Sequence, residues 1–252
     1  MTTITTSENK KIYFASDQHL GAPTPQASLP REKKFVAWLN VIKEDAGAVF
    51  LLGDLFDFWF EYKTVVPKGF VRVLGKLAEL KDAGIAIYFF VGNHDLWMRD
   101  YFQKELDIPV FHQPQEFDIN GKLFLIGHGD GLGPGDHGYK RMKKVFTFPF
   151  FKWLFRWLHP DIGVRLGHYF SVKNKLISGD EDAQFLGEEN EWLALYCKRK
   201  LTEKHYDFFI FGHRHLPLEI ELNSTSKYIN LGDWIQYFTY GEFMKTFKLK
   251  EF

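Results

Sequence analysis

Cysteine is almost missing from this chain: Cys197 stands alone among 252 residues. That excludes an intrachain disulfide and any thiolate cage for a metal, and it suits a reducing compartment. Net charge is missing too, with 32 Lys and Arg against 32 Asp and Glu, so nothing global points to nucleic acid. No apolar run is long enough to span a membrane, since "VFTFPFFKWLFRWL" is broken by Lys152 and Arg156. The opening "MTTITTSENKK" has no apolar segment of the secretory kind. Neither an internal repeat nor a low-complexity stretch is present. A cytoplasmic protein is expected, either one sizeable domain or a domain with an insertion.

Aromatics are plentiful instead, with 27 Phe, 11 Tyr and 7 Trp. Such an excess suggests a heavy core, an exposed apolar groove, or both. "KIYFAS" (11–16), "AVFLL" (48–52) and "IAIYFFV" (85–91) are short, apolar and rich in strand formers. Between them, 31–47 carries apolar residues at helical spacing up to Gly47, and a second helix is expected at about 69–83. "LWMRDYFQKEL" (96–106) also reads as a helix. Strands are expected at 108–112, 115–119 and 122–127, the last two joined by Asn120-Gly121, a hairpin turn signal. Strand and helix alternate, and the first strands are apolar throughout, so the class is α/β with both sheet faces covered. The later runs "YDFFIFG", "PLEIEL", "SKYINLG" and "EFMKTFKLK" read as mixed or antiparallel strands. Two packed sheets with helices outside follow from this order.

Residues 136–175 differ from the rest: nine Lys or Arg, two acids (Asp136 and Asp161) and ten aromatics. They read as a mostly helical insertion before a helix near 188–204. One alternative is an aromatic helical pair packed on its own domain, with its Lys and Arg solvated.

Polar clusters recur in one setting, just past a strand. "FASDQHLG" offers Asp17 and His19, and "LLGDLFD" offers Asp54 and Asp57. "FVGNHD" offers Asn93, His94 and Asp95, "LIGHGD" offers His128 and Asp130, and "FIFGHRHLP" offers His213 and His215. Any one of them alone is an ordinary capped turn or polar loop. Five strand ends that all select Asp, Asn and His converge on one place, because sites in α/β sheets form at the carboxyl ends of strands. A carboxylate in such apolar surroundings costs several kcal/mol unless something pairs with it. Seven N and O donors suffice for two metals sharing Asp54, and the donor type suits Mn, Fe or Zn. Paired metals of this kind serve phosphoryl transfer.

In this order the five motifs resemble the calcineurin-like metallophosphoesterases, across residues 16–215. The resemblance implies a four-layer α/β/β/α sandwich over 1–135 and 176–252, with 136–175 as a helical cap. It implies one metal held by Asp17, His19, Asp54 and His215, and a second held by Asp54, Asn93, His128 and His213. His94, oriented by Asp57, would touch the scissile phosphate and protonate the leaving group. Within the superfamily, "GDLFDFWF", "HGDGLGPGDHGYK" and the insertion that follows are similar to the UDP-2,3-diacylglucosamine hydrolases of lipid A synthesis. That likeness implies attack of a metal-bound hydroxide, Mn2+ first among the metals, on the α-phosphorus, giving UMP and 2,3-diacylglucosamine 1-phosphate. It implies substrate contacts at Asn93, His94, Asp136, Tyr139, Ser171, Asn174 and Lys175, with the cap cradling acyl chains. It also implies a nucleotide-linked glycolipid as partner and a peripheral position on the inner face of the cell membrane. The pattern departs from the best-known members in having His94 where they have Arg, and in a shorter spacing of Ser171, Asn174 and Lys175. The alternative function is a phosphoesterase acting on another, soluble ester. A non-catalytic metal-binding scaffold and a nuclease are weaker readings, against the complete ligand set and the neutral charge respectively.

Overall fold

The structure is a computed structural model and is described for residues 1–134, 137–178, 185 and 187–252, with 172–178 described by backbone alone. Its elements run β1 (Thr2–Ile4), β2 (Lys11–Ala15), α1 (Pro25–Ile42), β3 (Ala46–Leu52), α2 (Val71–Asp82), β4 (Ala86–Phe90), α3 (Tyr101–Leu106) and β5 (Val110–Phe111). They continue with β6 (Gln115–Ile119), β7 (Lys122–Ile126), α4 (His137–Thr147), α5 (Pro149–Arg156), α6 (Pro160–Ser178) and α7 (Trp192–Glu203). The chain closes with β8 (Phe208–Phe211), β9 (Pro217–Glu221), β10 (Lys227–Leu231), β11 (Thr239–Phe243) and β12 (Phe247–Glu251).

The strands make two six-stranded sheets, ordered β12-β11-β2-β3-β4-β5 and β1-β6-β7-β8-β10-β9. Strands β2, β3 and β4 are parallel neighbours, as are β7, β8 and β10. The apolar strands have both faces covered, as their composition demands. One face of the first sheet packs on α1 and α2 through Tyr13, Val49, Ile87, Phe35, Leu39 and Leu77. Its other face meets the second sheet through Phe14, Phe50, Phe124, Ile210 and Ile229. The far face of the second sheet is covered by α7 through Leu193, Ala194 and Cys197. The expected α/β/β/α layering is therefore present. A ladder of in-register rings, Phe14 on Phe50 at 5.0 Å and Phe50 on Tyr88 at 4.8 Å, fills the space between the sheets.

Local chemistry moves several boundaries. Helix α1 begins at Pro25, ahead of the expected 31, because Thr24 accepts from Ala27 N at 3.2 Å and Pro25 suits the first turn. It stops at Ile42 because Ala46 is already paired beside Lys11. Only 101–106 of the expected helix at 96–106 forms. Trp97 is held in a bridge with Phe60, and the buried Glu61 carboxylate caps the helix by accepting from Asp100 N and Tyr101 N. "EFMKTFKLK" divides between two antiparallel strands, β11 and β12, and is not one strand. Strand β1 lies in a segment that reads as merely polar.

Helices α4, α5 and α6 leave many aromatics in solvent, among them Phe148, Phe150, Phe151, Trp153, Trp157, Tyr169 and Phe170. Trp97 Nε1 donates to Phe146 O at 2.7 Å, and Trp97 and Phe60 both pack on Phe155, at 4.6 and 4.7 Å. Phe60, in the aromatic run after Asp57, and Trp97 thus fasten these helices to the sandwich. No described helix is long and apolar enough to cross a membrane.

Candidate metal centre

The loops that follow β2, β3, β4, β7 and β8 leave the carboxyl ends of parallel strands, so they open on one end of the sandwich. Five of the side chains expected at the centre sit on left-handed backbone: Asp17 (φ 58°), His19 (44°), Asp54 (54°), His213 (71°) and His215 (52°). A non-glycine residue there costs roughly 1–2 kcal/mol, and such strain gathers where a structure needs a side chain aimed against its backbone preference. Backbone bonds hold the loops in place. Asp17 N donates to Gly53 O, His19 N to Asp54 O and Trp234 N to Asp17 O, at 2.8–3.1 Å. Asp95 ties two loops together by accepting from Gly92 N at 2.6 Å and Leu55 N at 3.1 Å. Gly92 is required here, since a Cβ would overlap the Asp54 carboxylate.

Asp17, His19, Asp54 and His215 each offer a ligand atom within 4.8 Å of the others, and His19, Asp57 and His94 form a second such group. His19 Nε2 lies 3.1 Å from His215 Nε2 and 3.5 Å from Asp54 Oδ2. The same Asp54 oxygen is 3.5 Å from His128 Nε2, which lies 3.2 Å from Asn93 Oδ1. The His213 ring is 5.1 Å from that of His128, centroid to centroid. Asp54 thus stands between the two sets of side chains.

The donor set fits divalent cations. Asp17 Oδ1 is buried and has no hydrogen-bond partner among the described residues. Nitrogens Nδ1 of His215 and His128 face Asp233 Oδ2 (3.2 Å) and Leu52 O (2.7 Å), which can accept a proton and leave each Nε2 lone pair for a metal. Burial pushes the Asp17 carboxyl up. Burial also resists ionisation of Asp54, but His128, His94 and His19 outweigh it and hold that carboxyl well below the usual range. His128 is opposed by burial yet pushed up to about 10 by Asp54. Burial, reinforced by His128, pushes His213 down to about 3. Asp95 is pushed up to about 8 by burial and by the charge of Asp54.

The remaining expected residues lie around this core. His94 N donates to Asp54 Oδ1 at 2.8 Å, and His94 Nδ1 is 2.9 Å from Asp57 O and 3.0 Å from Ser171 Oγ. The Asp57 carboxylate lies 3.5 Å from His19 Nδ1 and 3.7 Å from His94 Nδ1. Tyr139 donates to Asp130, which also takes Lys143 Nζ at 2.6 Å, so α4 is tied to the loop bearing His128. Asp136 and the side chains of Asn174 and Lys175 lie outside the described residues. Sequence reasoning passes over Asp233. Its Oδ1 accepts from the N–H groups of Ile235, Gln236 and Tyr237 while Oδ2 faces His215. The signal was there, since "NLGD" ends β10 as "LLGD" ends β3.

A model of the family described as calcineurin-like phosphoesterase matches residues 10–217. A Porphyromonas gingivalis protein named UDP-2,3-diacylglucosamine hydrolase is 39% identical over 244 residues, covering 91% of this chain and 92% of that one. A protein of the same name from Actinobacillus succinogenes is 27% identical, covering 89% of this chain and 92% of its own. Another from Shewanella piezotolerans is 26% identical, covering 90% of this chain and 91% of its own.

Proposed function

This chain belongs to the calcineurin-like phosphoesterase family, and we propose that it cleaves the diphosphate of UDP-2,3-diacylglucosamine to UMP and 2,3-diacylglucosamine 1-phosphate. The observation that carries this reading is a meeting of two surfaces. A buried Asp and His cluster adjoins helices that expose aromatic and basic side chains, and the two join where Ser171 on α6 reaches Asp57 at 2.7 Å. Relatives named for that activity along nine-tenths of the chain support it.

Asp17, His19, Asp54 and His215 would hold one divalent cation, and Asp54, Asn93, His128 and His213 a second, Mn2+ foremost with Fe or Zn as alternatives. Bound there, the pair would polarise the phosphate and make hydroxide available at neutral pH. The chain's own groups do the rest. The Asp57 carbonyl can only accept, so Nδ1 of His94 holds a proton, and with Nε2 protonated as well the ring would give that second proton to the leaving oxygen and return to the neutral Nδ1–H form. Asp57 supports both His19 and His94. Asn93, Asp136, Tyr139, Asn174 and Lys175 are the proposed substrate contacts. Residues 136–175 act as a cap: exposed Phe and Trp receive acyl chains, while Lys and Arg attract phosphates and an anionic membrane surface.

The test is Mn-dependent release of UMP from UDP-2,3-diacylglucosamine, beside UDP-sugars without acyl chains and an aryl phosphodiester. Strong preference for the acylated substrate is expected. Turnover of the aryl ester alone would retain a phosphoesterase and discard the lipid substrate.

A further inference from the structure

Ser171 is the point at which α6 enters the centre, and its hydroxyl is already engaged there. A hydroxyl has one proton to give, and the Asp57 carboxylate, 2.7 Å away, can only accept it. His94 Nδ1 lies 3.0 Å from the same oxygen and 2.9 Å from Asp57 O. Since the carbonyl accepts and the serine proton is committed, Nδ1–H must donate to both oxygens. The residue is 8% exposed, leaving little of it for a ligand. Its position follows from how α6 rests on the sandwich. Gly167, one turn earlier on the same face, lies so close to Phe58 that a Cβ would overlap the ring. His168 Nδ1 is 3.9 Å from Asp57 Oδ2. The aromatics after Asp57 therefore support the helix whose next turn meets Asp57 and His94.

We propose that Ser171 is a positioning residue, bridging Asp57 and His94 and thereby fixing the tautomer and ring orientation of His94, and is not a substrate contact. The inference rests on the reading above for what His94 then does. It makes the seating of α6 a condition for an oriented His94, so the cap would set the catalytic ring as well as hold substrate.

The experiment compares wild type with Ser171→Ala and Ser171→Thr, each loaded with Mn2+, on an aryl phosphodiester too small to span the cap. Loss of one hydrogen bond predicts that S171A lowers kcat roughly tenfold with little change in KM, and that S171T restores most of the loss. A normal kcat on the aryl ester with a raised KM only for the acylated substrate would make Ser171 a substrate contact and overturn the proposal. An independent readout uses the metal-free chain: the Nδ1–H proton resonance of His94, assigned by its absence in His94→Gln. It should shift and exchange faster with water in S171A and return toward wild type in S171T. An unchanged resonance in S171A overturns the proposal whether or not any substrate is turned over. An inactive wild type with the resonance shifted would instead overturn the phosphoesterase reading and leave the bridge standing.

Discussion

One oxygen of Asp54 lies 3.5 Å from Nε2 of both His19 and His128, which makes this carboxylate the hinge of the whole centre. Asp54→Ala is expected to abolish Mn2+ binding, measured by calorimetry, together with turnover. Full Mn-dependent activity in that variant would refute the shared role. His128 is held protonated up to about pH 10 by Asp54, yet a ligating His must be neutral. Metal loading near pH 7 should therefore release a proton from this ring, and affinity should rise with pH toward 10. Titration calorimetry in buffers of different ionisation enthalpy measures that release; equal heats in all buffers would count against it. Asp233 faces His215 at 3.2 Å and anchors three backbone N–H groups. Supports of this kind are worth roughly 10–100-fold in metal affinity, so Asp233→Asn should weaken Mn2+ binding by that order. The motif residues were legible because each follows an apolar strand. Asp233 also follows an apolar strand, so its position carried the same signal; what no local pattern carried is its partner, since His215 is 18 residues away in sequence and adjacent only in space.

Helix α5 exposes Phe150, Trp153 and Leu154 by about half each, the surface that the proposed cap would offer to acyl chains. Trimming the exposed Phe148, Phe150, Phe151, Trp153 and Trp157 to Ala, with Phe146 and Phe155 left in their contacts to the sandwich, is expected to raise KM for an acylated substrate and spare a small aryl diester. Equal losses on both would assign the segment to folding. The elements themselves were legible in proportion to their burial. Strands β2, β3 and β4 stand close to where an apolar run predicts them, because a strand covered on both faces leaves no other choice of residue. Boundaries governed by distant partners were not legible. Helix α3 is shortened by Glu61, which caps it from 40 residues away, and β1 forms only because β6 offers an edge. The hairpin of β11 and β12 turns at 244–246, where Met and Lys-Thr are not strong turn formers.

Across the molecule, three loops from two sheets hold five Asp and His side chains on costly left-handed backbone around the buried centre. Cations that bind only this folded arrangement stabilise it by about 2.7 kcal/mol at a hundred times their dissociation constant, or roughly 5–10 °C in a chain of this length. A chelator should lower the melting temperature by that order, and Mn2+ should restore it; an unchanged melt would argue against a metal bound at this centre. Sequence alone specified the α/β class, the apolar strands and the Asp, Asn and His that gather at the candidate centre. Burial and hydrogen-bonding chemistry restrict those choices residue by residue, and they act within a few positions of each strand end. Only the tertiary structure decided that one oxygen of Asp54 stands between His19 and His128, that Asp233 faces His215, and that Phe58 seats the helix whose Ser171 reaches Asp57. Those are contacts between segments up to 114 residues apart, and no local pattern encodes which distant surfaces will fit together.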